Sequence, residues 1–378
     1  MAGHPLDCSG NDNVLLWGPR DDAPLEDGLR TRDTQCGLFA TGKVLRRFNV
    51  PFTYIENSRI TDDVFKNGFR NFIAVCAAVR DFNNTRILQI APRPAAFWTV
   101  ICNEGELLEK FGIQVFPVTL VDIANNVYKV LDRKDSQYKV TLNKIKNVMD
   151  ISKVPYEDVE KLVALKVVIS DFCKEYKCNS AAIQCWNALQ DSLGIMPCMV
   201  NGLLTEEGIP VVCEMDIHGA ITAVLLQAAS LYSSPIFFAD LTVRHPTNDN
   251  AELLWHCGNF PPSLAKENAK KELGRHFIFP THMPGTGEWE IKGGDITICR
   301  FDGDHGEYRL FAGEGKGTEG PKTKGTYVWF EVSNWPEWER KLVEGPYIHH
   351  CAGVHGTVAA VLKEVCKYIP GLKADYVE

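Results

Sequence analysis

No apolar run in this chain approaches the ~20 residues that a membrane-crossing helix requires. The opening residues, MAGHPLDCSGNDN, carry neither the basic stretch nor the apolar core of a secretion signal. A cytoplasmic protein without membrane contact is the expectation. Disulfide scaffolding is missing as well. Thirteen cysteines are present, but the number is odd, the chain is long and no C-x-x-C pair occurs. The thiols are read as reduced, with Cys76, Cys185, Cys213 and Cys366 serving as small buried hydrophobes. Positive charge is also short: 40 Lys and Arg stand against 48 Asp and Glu, a net charge of −8. That balance argues against nucleic acid as a partner. Neither G-x-S-x-G nor H-E-x-x-H occurs, which removes the serine-hydrolase elbow and the two-histidine zinc helix. The glycine-rich stretch from Ala312 to Tyr327 has P-loop spacing between Gly315 and Gly320, but Pro321 stands where the lysine is needed. It reads as an exposed hairpin loop, and the block KENAKK from Lys266 as a solvated helix face.

What is present is an ordinary globular composition, 45% hydrophobic and 23% charged over 378 residues, with material for two domains. Short apolar strands at Val14 to Trp17, Phe52 to Ile55, Ile87 to Ala91, Ile113 to Val118 and Ala181 to Gln184 alternate with amphipathic helices. The helices at Cys36 to Phe48, Asp62 to Val79 and Tyr156 to Tyr176 carry apolar residues at three- and four-residue steps. The lysine- and asparagine-rich segment Leu131 to Lys153 reads as an exposed helical excursion. This is the pattern of an α/β fold with a doubly wound, mostly parallel sheet, assigned to residues 1–248. After Asp249 the texture changes to alternating strands at Trp289 to Ile291, Asp295 to Asp302, Glu307 to Ala312 and Thr326 to Val332, with a closing helix from Gly356 to Tyr368. A smaller β-rich, barrel-like domain over 249–378 follows.

The chemistry concentrates between Ile209 and Cys257. A strand at Pro210 to Cys213 ends on Glu214, a helix places Ile221, Val224, Leu225 and Ala228 on one face, and a second strand, Pro235 to Ala239, ends on Asp240. Read as a crossover unit, this sets the two strands parallel with their carboxyl ends side by side, ~5 Å apart. Two facing acids repel, and a divalent cation is their natural occupant. Each acid alone has a plain competing reading, Glu214 as a helix-N-terminal charge and Asp240 as a strand-end turn residue. Further ligands are sought among His350 or its neighbour His349, His256 and His218; a mixed carboxylate and imidazole set favours manganese, iron, cobalt or zinc over calcium. Other strand ends contribute Arg93 with Trp98, and Gln184 with Trp186. An arginine, an amide and two indoles beside a metal suit a polyhydroxylated ligand.

The strings CEMDIHGAITAVLLQ, PIFFADL, WHCGNFPPSL and EGPYIHHCAGVHG, with the run from Ile87 to Val118, resemble the L-fucose isomerase and L-arabinose isomerase superfamily over essentially the whole chain. The resemblance implies a metal-dependent isomerase acting on a free sugar, with Mn2+ held by Glu214, Asp240 and His350. His256 matches the extra histidine of the arabinose branch. It further implies sugar contacts from the Arg93 loop and the Gln184 region and a homo-oligomer, trimeric or hexameric. Trp98, Trp186 and His349 are expected beside them, and the proton shift between C2 and C1 that such a reaction requires makes Glu214 and Asp240 the expected acid/base pair. Relative to that family the chain is expected to lack the usual first amino-terminal domain. A sugar epimerase on the same scaffold and a non-catalytic sugar-binding remnant are the alternatives.

Overall fold

The alternation between Val14 and Ala239 folds as two parallel sheets, and its last strand leaves them for a third. In the computed structural model, which describes residues 13–278 and 281–377, β1 (Val14–Leu16) and β2 (Phe52–Tyr54) form a parallel pair. The second sheet comprises β3 (Arg86–Ile90), β4 (Gln114–Val118), β5 (Ser180–Ile183) and β6 (Val211–Val212), all parallel, in the order β4-β3-β5-β6. Its strands β3, β5 and β6 are mostly apolar because helices cover both faces there. Helix Tyr156–Tyr176 is one cover, burying Val159, Leu162, Val163 and Leu165. Helices Leu120–Arg133 and Ser136–Val148 pack on it through Ile123, Val127, Tyr138 and Ile145. The segment read as an exposed excursion is thus helical but packed: its lysines and asparagines form only the outer face.

The β-rich part holds β7 (Phe237–Arg244), β8 (Ala251–His256), β9 (Glu272–Arg275), β10 (Pro284–Glu290), β11 (Gly294–Asp304), β12 (Glu307–Thr318), β13 (Thr326–Glu331), β14 (His350–His355) and β15 (Leu372–Tyr376). Six of these run antiparallel in the order β12-β11-β14-β7-β8-β13, and pairing of β13 back to β12 closes the ring into a barrel. Closure leaves no free edge within the ring. The glycine-rich stretch supplies the closing segment as well as the expected exposed loop, since only residues 319–325 form the hairpin connection and the glycines before them belong to a strand. β12 continues through Thr318, pairing Lys316 with Glu331 while Gly317 also faces Gly294. Glycine is required there: a Cβ at Gly313 would stand 2.4 Å from Trp338, and one at Gly315 2.4 Å from the Glu331 carbonyl. The KENAKK block is not helical either. It forms turns whose Lys266 bonds Glu290 at 3.1 Å and Glu319 at 2.8 Å.

The crossover reading fails at β7. β6 lies in the parallel sheet, whereas β7 runs antiparallel to β8 and β14 inside the barrel, so Glu214 and Asp240 do not end neighbouring strands. The intervening helix, Ile217–Ala229, passes from one sheet to the other. All of its residues but Gln227 are buried. A helix apolar on every side is covered on every side. This one lies among helix Asp63–Asn83, β5, β11 and β14. Among the described residues twelve cysteines are free, as expected; Cys8 lies outside them. None of the described helices is long and apolar enough to cross a membrane.

Two measurements test this packing. Trp338 is fully buried between Phe311 and Phe330 beneath Gly313, and Trp338→Ala is expected to lower unfolding free energy by about 3–5 kcal/mol in urea. Glu252 is buried in β8, and that burial pushes its carboxyl up to about 7, against the pull of Arg244 and with Glu339 adding to the rise. The folded state therefore holds this proton more tightly than the unfolded chain, and stability falls as pH rises from the ordinary glutamate range to about 7. Glu252→Gln removes that loss, so its thermal midpoint relative to the parent should climb between pH 5 and pH 7.5 and then level, following the ~7 midpoint of this group.

Candidate active site

Glu214 reaches its position through a strained turn. Glu214 and Met215 both adopt φ of 63°, the left-handed region, in succession. The turn is pinned on both sides: Met215 N donates to the Ile183 carbonyl at the end of β5, and Asp216 caps helix Ile217–Ala229 by accepting from Gly219 N at 2.9 Å. Gly219 has no side chain because its Cβ would lie 2.6 Å from Asp216 Oδ2.

Asp240 and His350 arrive from the barrel. They are direct cross-strand partners in the β7 and β14 ladder, and Leu241 N donates to the His349 carbonyl at 2.8 Å beside them. β8, the other neighbour of β7, brings His256 alongside. His350 Nε2 lies 3.1 Å from Glu214 Oε2 and 3.6 Å from Asp240 Oδ1, and His256 Nε2 lies 3.9 Å from Asp240 Oδ1. Phe238 packs against both imidazoles. The two acids and these two histidines are all buried, while His349, edge-on to His350 at 4.4 Å between ring centres, is exposed. Glu214, His349 and His350 each present a ligand atom within 4.8 Å of the others.

These groups fit a divalent cation. Asp240 Oδ1 is buried without a hydrogen-bond partner, an arrangement that costs free energy unless something completes it. Burial raises the Asp240 carboxyl above its ordinary range although His256 and His350 pull it down. His350 is opposed by burial, yet its bonds to Asp216 and Glu214 prevail and push it up to about 10. Its Nδ1 faces Asp216 Oδ2 at 2.9 Å. A carboxylate only accepts, so Nδ1 carries a proton toward Asp216 and Nε2 one toward Glu214; a cation bound at Nε2 would displace that second proton while Nδ1 keeps its own, the usual carboxylate–histidine–metal arrangement. His256 is set the opposite way. Its Nδ1 accepts from Cys257 N at 2.8 Å, so the neutral ring carries its proton on Nε2 and offers Asp240 a donor rather than a lone pair.

The expected sugar contacts gather at the carboxyl ends of β3 and β5, on the sheet edge that also carries Glu214. Arg93 turns its guanidinium onto the carbonyls of Pro94 at 3.1 Å and Ala95 at 3.2 Å, and lies 5.5 Å over the ring of Trp98. Trp98 is 73% exposed. Trp186 packs on Phe97, and Gln184 is buried where its N–H donates to the Ile90 carbonyl. Asp216, Arg300 and Asp302 were not singled out by sequence reasoning. Asp216 sits two residues after Glu214 at a helix cap, where an aspartate ordinarily needs no further explanation.

Known proteins share this arrangement of sequence. The model of the fucose/sulfoquinovose isomerase N-terminal domain matches residues 11–83, and that of the L-fucose isomerase C-terminal domain matches residues 254–374. The expectation that the chain lacks the family's first domain thus meets a match to an amino-terminal domain model. His256, Arg300 and His350 fall inside the second match; Glu214, Asp216 and Asp240 fall between the two. The chain is 26% identical to the sulfoquinovose isomerase of Alkalicoccus urumqiensis over 356 residues, covering 93% of this chain and 78% of the relative. The sulfoquinovose isomerase of Priestia aryabhattai is 26% identical over 357 residues, 93% of this chain and 77% of the relative. That of a Clostridium species is 21% identical over 265 residues, 70% of this chain and 58% of the relative.

A cation completing the orphaned oxygen of Asp240 stabilises the fold by mass action. Mn2+ at a hundredfold excess over its dissociation constant should add about 2.7 kcal/mol, read as a rise in thermal midpoint. His350→Gln, which leaves Glu214 and Asp240 to hold the ion, should keep only part of that rise.

Proposed function

This chain is an L-fucose isomerase-like protein, a sugar aldose–ketose isomerase, and from that premise we propose that Glu214, Asp240 and His350 form its metal-dependent catalytic centre. The observation that carries this reading is the convergence of two acids and one imidazole, from the parallel sheet and from two barrel strands, around the buried, unpartnered Oδ1 of Asp240. Glu214, Asp240 and His350 would hold the ion, with manganese the first candidate. When bound, such an ion supplies Lewis acidity at the C1 and C2 oxygens of the sugar.

The remaining chemistry belongs to the side chains. An aldose becomes a ketose by losing the proton on C2 and gaining one on C1, through an ene-diolate. Asp240, its carboxyl raised by burial, is the group suited to take up that proton; Glu214 faces the same space across His350 and forms the pair with it. His256 presents its Nε2 proton beside Asp240 as a donor for a sugar hydroxyl. Trp98 and Trp186 offer flat apolar faces for the C–H side of the ring, and Arg93 anchors the loop that carries Trp98. The substrate proposed is a free monosaccharide, with sulfoquinovose the first to try because the relatives carry that name. Large exposed apolar side chains, among them Phe39 and Phe48, support a homo-oligomer.

The test is an aldose panel headed by sulfoquinovose, incubated with Mn2+ in heavy water and followed by NMR. Ketose formation with deuterium entering at the exchanged carbon is expected. Glu214→Gln should lower turnover by roughly 10²–10⁴-fold or more with an unchanged circular dichroism spectrum; undiminished turnover would sink the assignment.

A further inference from the structure

The carboxylate that orients His350 is itself held by a buried line of charges running away from the site. Asp216 Oδ1 accepts from Gly219 N at 2.9 Å and from Arg300 Nη2 at 3.1 Å, and Oδ2 meets Arg300 Nη1 as well as His350. The other edge of the guanidinium donates through Nε to Asp302 Oδ2 at 2.8 Å. Asp302 Oδ1 in turn bonds His218 Nδ1 at 2.8 Å and accepts from Gly303 N at 2.9 Å. His350, Asp216, Arg300, Asp302 and His218 form an unbroken sequence in which no member is more than 4% exposed.

Three elements are joined by it. His350 belongs to β14, Arg300 and Asp302 to β11, and Asp216 and His218 to the start of helix Ile217–Ala229. Burying an arginine costs several kcal/mol unless its donors are met, and here they are met from both sides. The fork is also directional. Its two terminal nitrogens address Asp216, leaving that carboxylate only the Gly219 amide and the Nδ1 proton of His350 as further partners. A lysine in the same place brings one point charge and cannot hold both oxygens of Asp216 while reaching Asp302.

We propose that Arg300 is a positioning residue for the metal centre: by fixing Asp216 it locks the ring of His350 with Nε2 turned toward Glu214 and Asp240. The site is then preformed, and Asp302 with His218 braces the guanidinium from behind. This rests on the reading of Glu214, Asp240 and His350 as a divalent-cation centre.

The experiment measures Mn2+ affinity by calorimetry and by the electron paramagnetic resonance of bound and free ion, in the full chain and in Arg300→Lys. The parent should bind Mn2+, and the variant should fold and bind it about 10–100-fold more weakly. The decisive comparison places Arg300→Lys in a His350→Gln background, where it should bring no further loss because the residue through which it acts is gone. Equal losses in both backgrounds, or an affinity within twofold of the parent for Arg300→Lys alone, would overturn the proposal. Should Arg300→Lys not fold, Asp302→Asn, which loosens the guanidinium from its far side, is judged by the same comparison. If neither folds, Arg300 serves folding and the proposal falls. Failure of the parent itself to bind Mn2+ overturns the cation centre first and this inference with it; normal binding in the parent beside an unaffected variant overturns this inference alone.

Discussion

The clasp between Asp216 and His350 is the contact on which the rest of the site depends. Glu214, Asp216 and Asp240 are three acids buried within reach of one imidazole. Each buried carboxylate carries a desolvation cost of several kcal/mol unless cations or donors meet it. Asp216 is met fully, by Arg300, by His350 and by the Gly219 amide, and its carboxyl is held far below the ordinary range despite complete burial. Glu214 and Asp240 are met by His350 only in part, which is why Asp240 retains an orphaned oxygen and a raised carboxyl. The structural charge is thus settled on one side of His350 and left open on the other. A site that is to take a cation and a proton must keep that second side open.

The fold achieves this by butting two architectures together. A parallel sheet alone offers acids at its carboxyl edge, and a closed barrel alone offers alternating residues at its rim. Helix Ile217–Ala229 is what brings the two into register, buried against both. Its amino-terminal end fixes Asp216 and the strained turn bearing Glu214, while its flank packs on β14, the strand that begins with His350. Strain at Glu214 and Met215, of order 1–3 kcal/mol per residue, is sustained because Met215 is buried and its amide is bonded to β5.

Much of this was legible beforehand, and the failures have physical reasons. Short apolar strands and helices with three- and four-residue periodicity gave their elements nearly to the residue, as in Tyr156–Tyr176. The pairing of Glu214, Asp240 and His350 was reached from strand ends and resemblance, yet the route assumed neighbouring parallel strands. An apolar strand of five residues looks the same in a parallel sheet and in a barrel, since periodicity does not name the partner. The glycines of β12 were misread because glycine marks loops and also marks close approach of a tryptophan or a backbone, and only the packed structure distinguishes these. Arg300 was invisible: a lone arginine in an alternating strand, with Asp302 two residues on, ordinarily faces water.

The two histidines flanking Asp240 show the deepest limit of reading side chains by type. His350 and His256 lie on either side of the same carboxylate oxygen, and both look like ligands in sequence. What separates them is the partner of Nδ1. A carboxylate holds a proton of His350 there, so Nε2, facing Glu214, is the nitrogen that would give up its proton to a cation; a backbone amide fills the lone pair of His256 there and leaves Nε2 with a proton. Moving a proton between adjacent carbons of a sugar needs a base, a place for developing negative charge and a donor for the hydroxyls. In the centre proposed here, one histidine oriented each way around a raised aspartate would provide for two of those needs with the same side chain. The division of labour is set by an amide and an aspartate that touch no sugar, so it is a property of the fold around the site rather than of the residues within it.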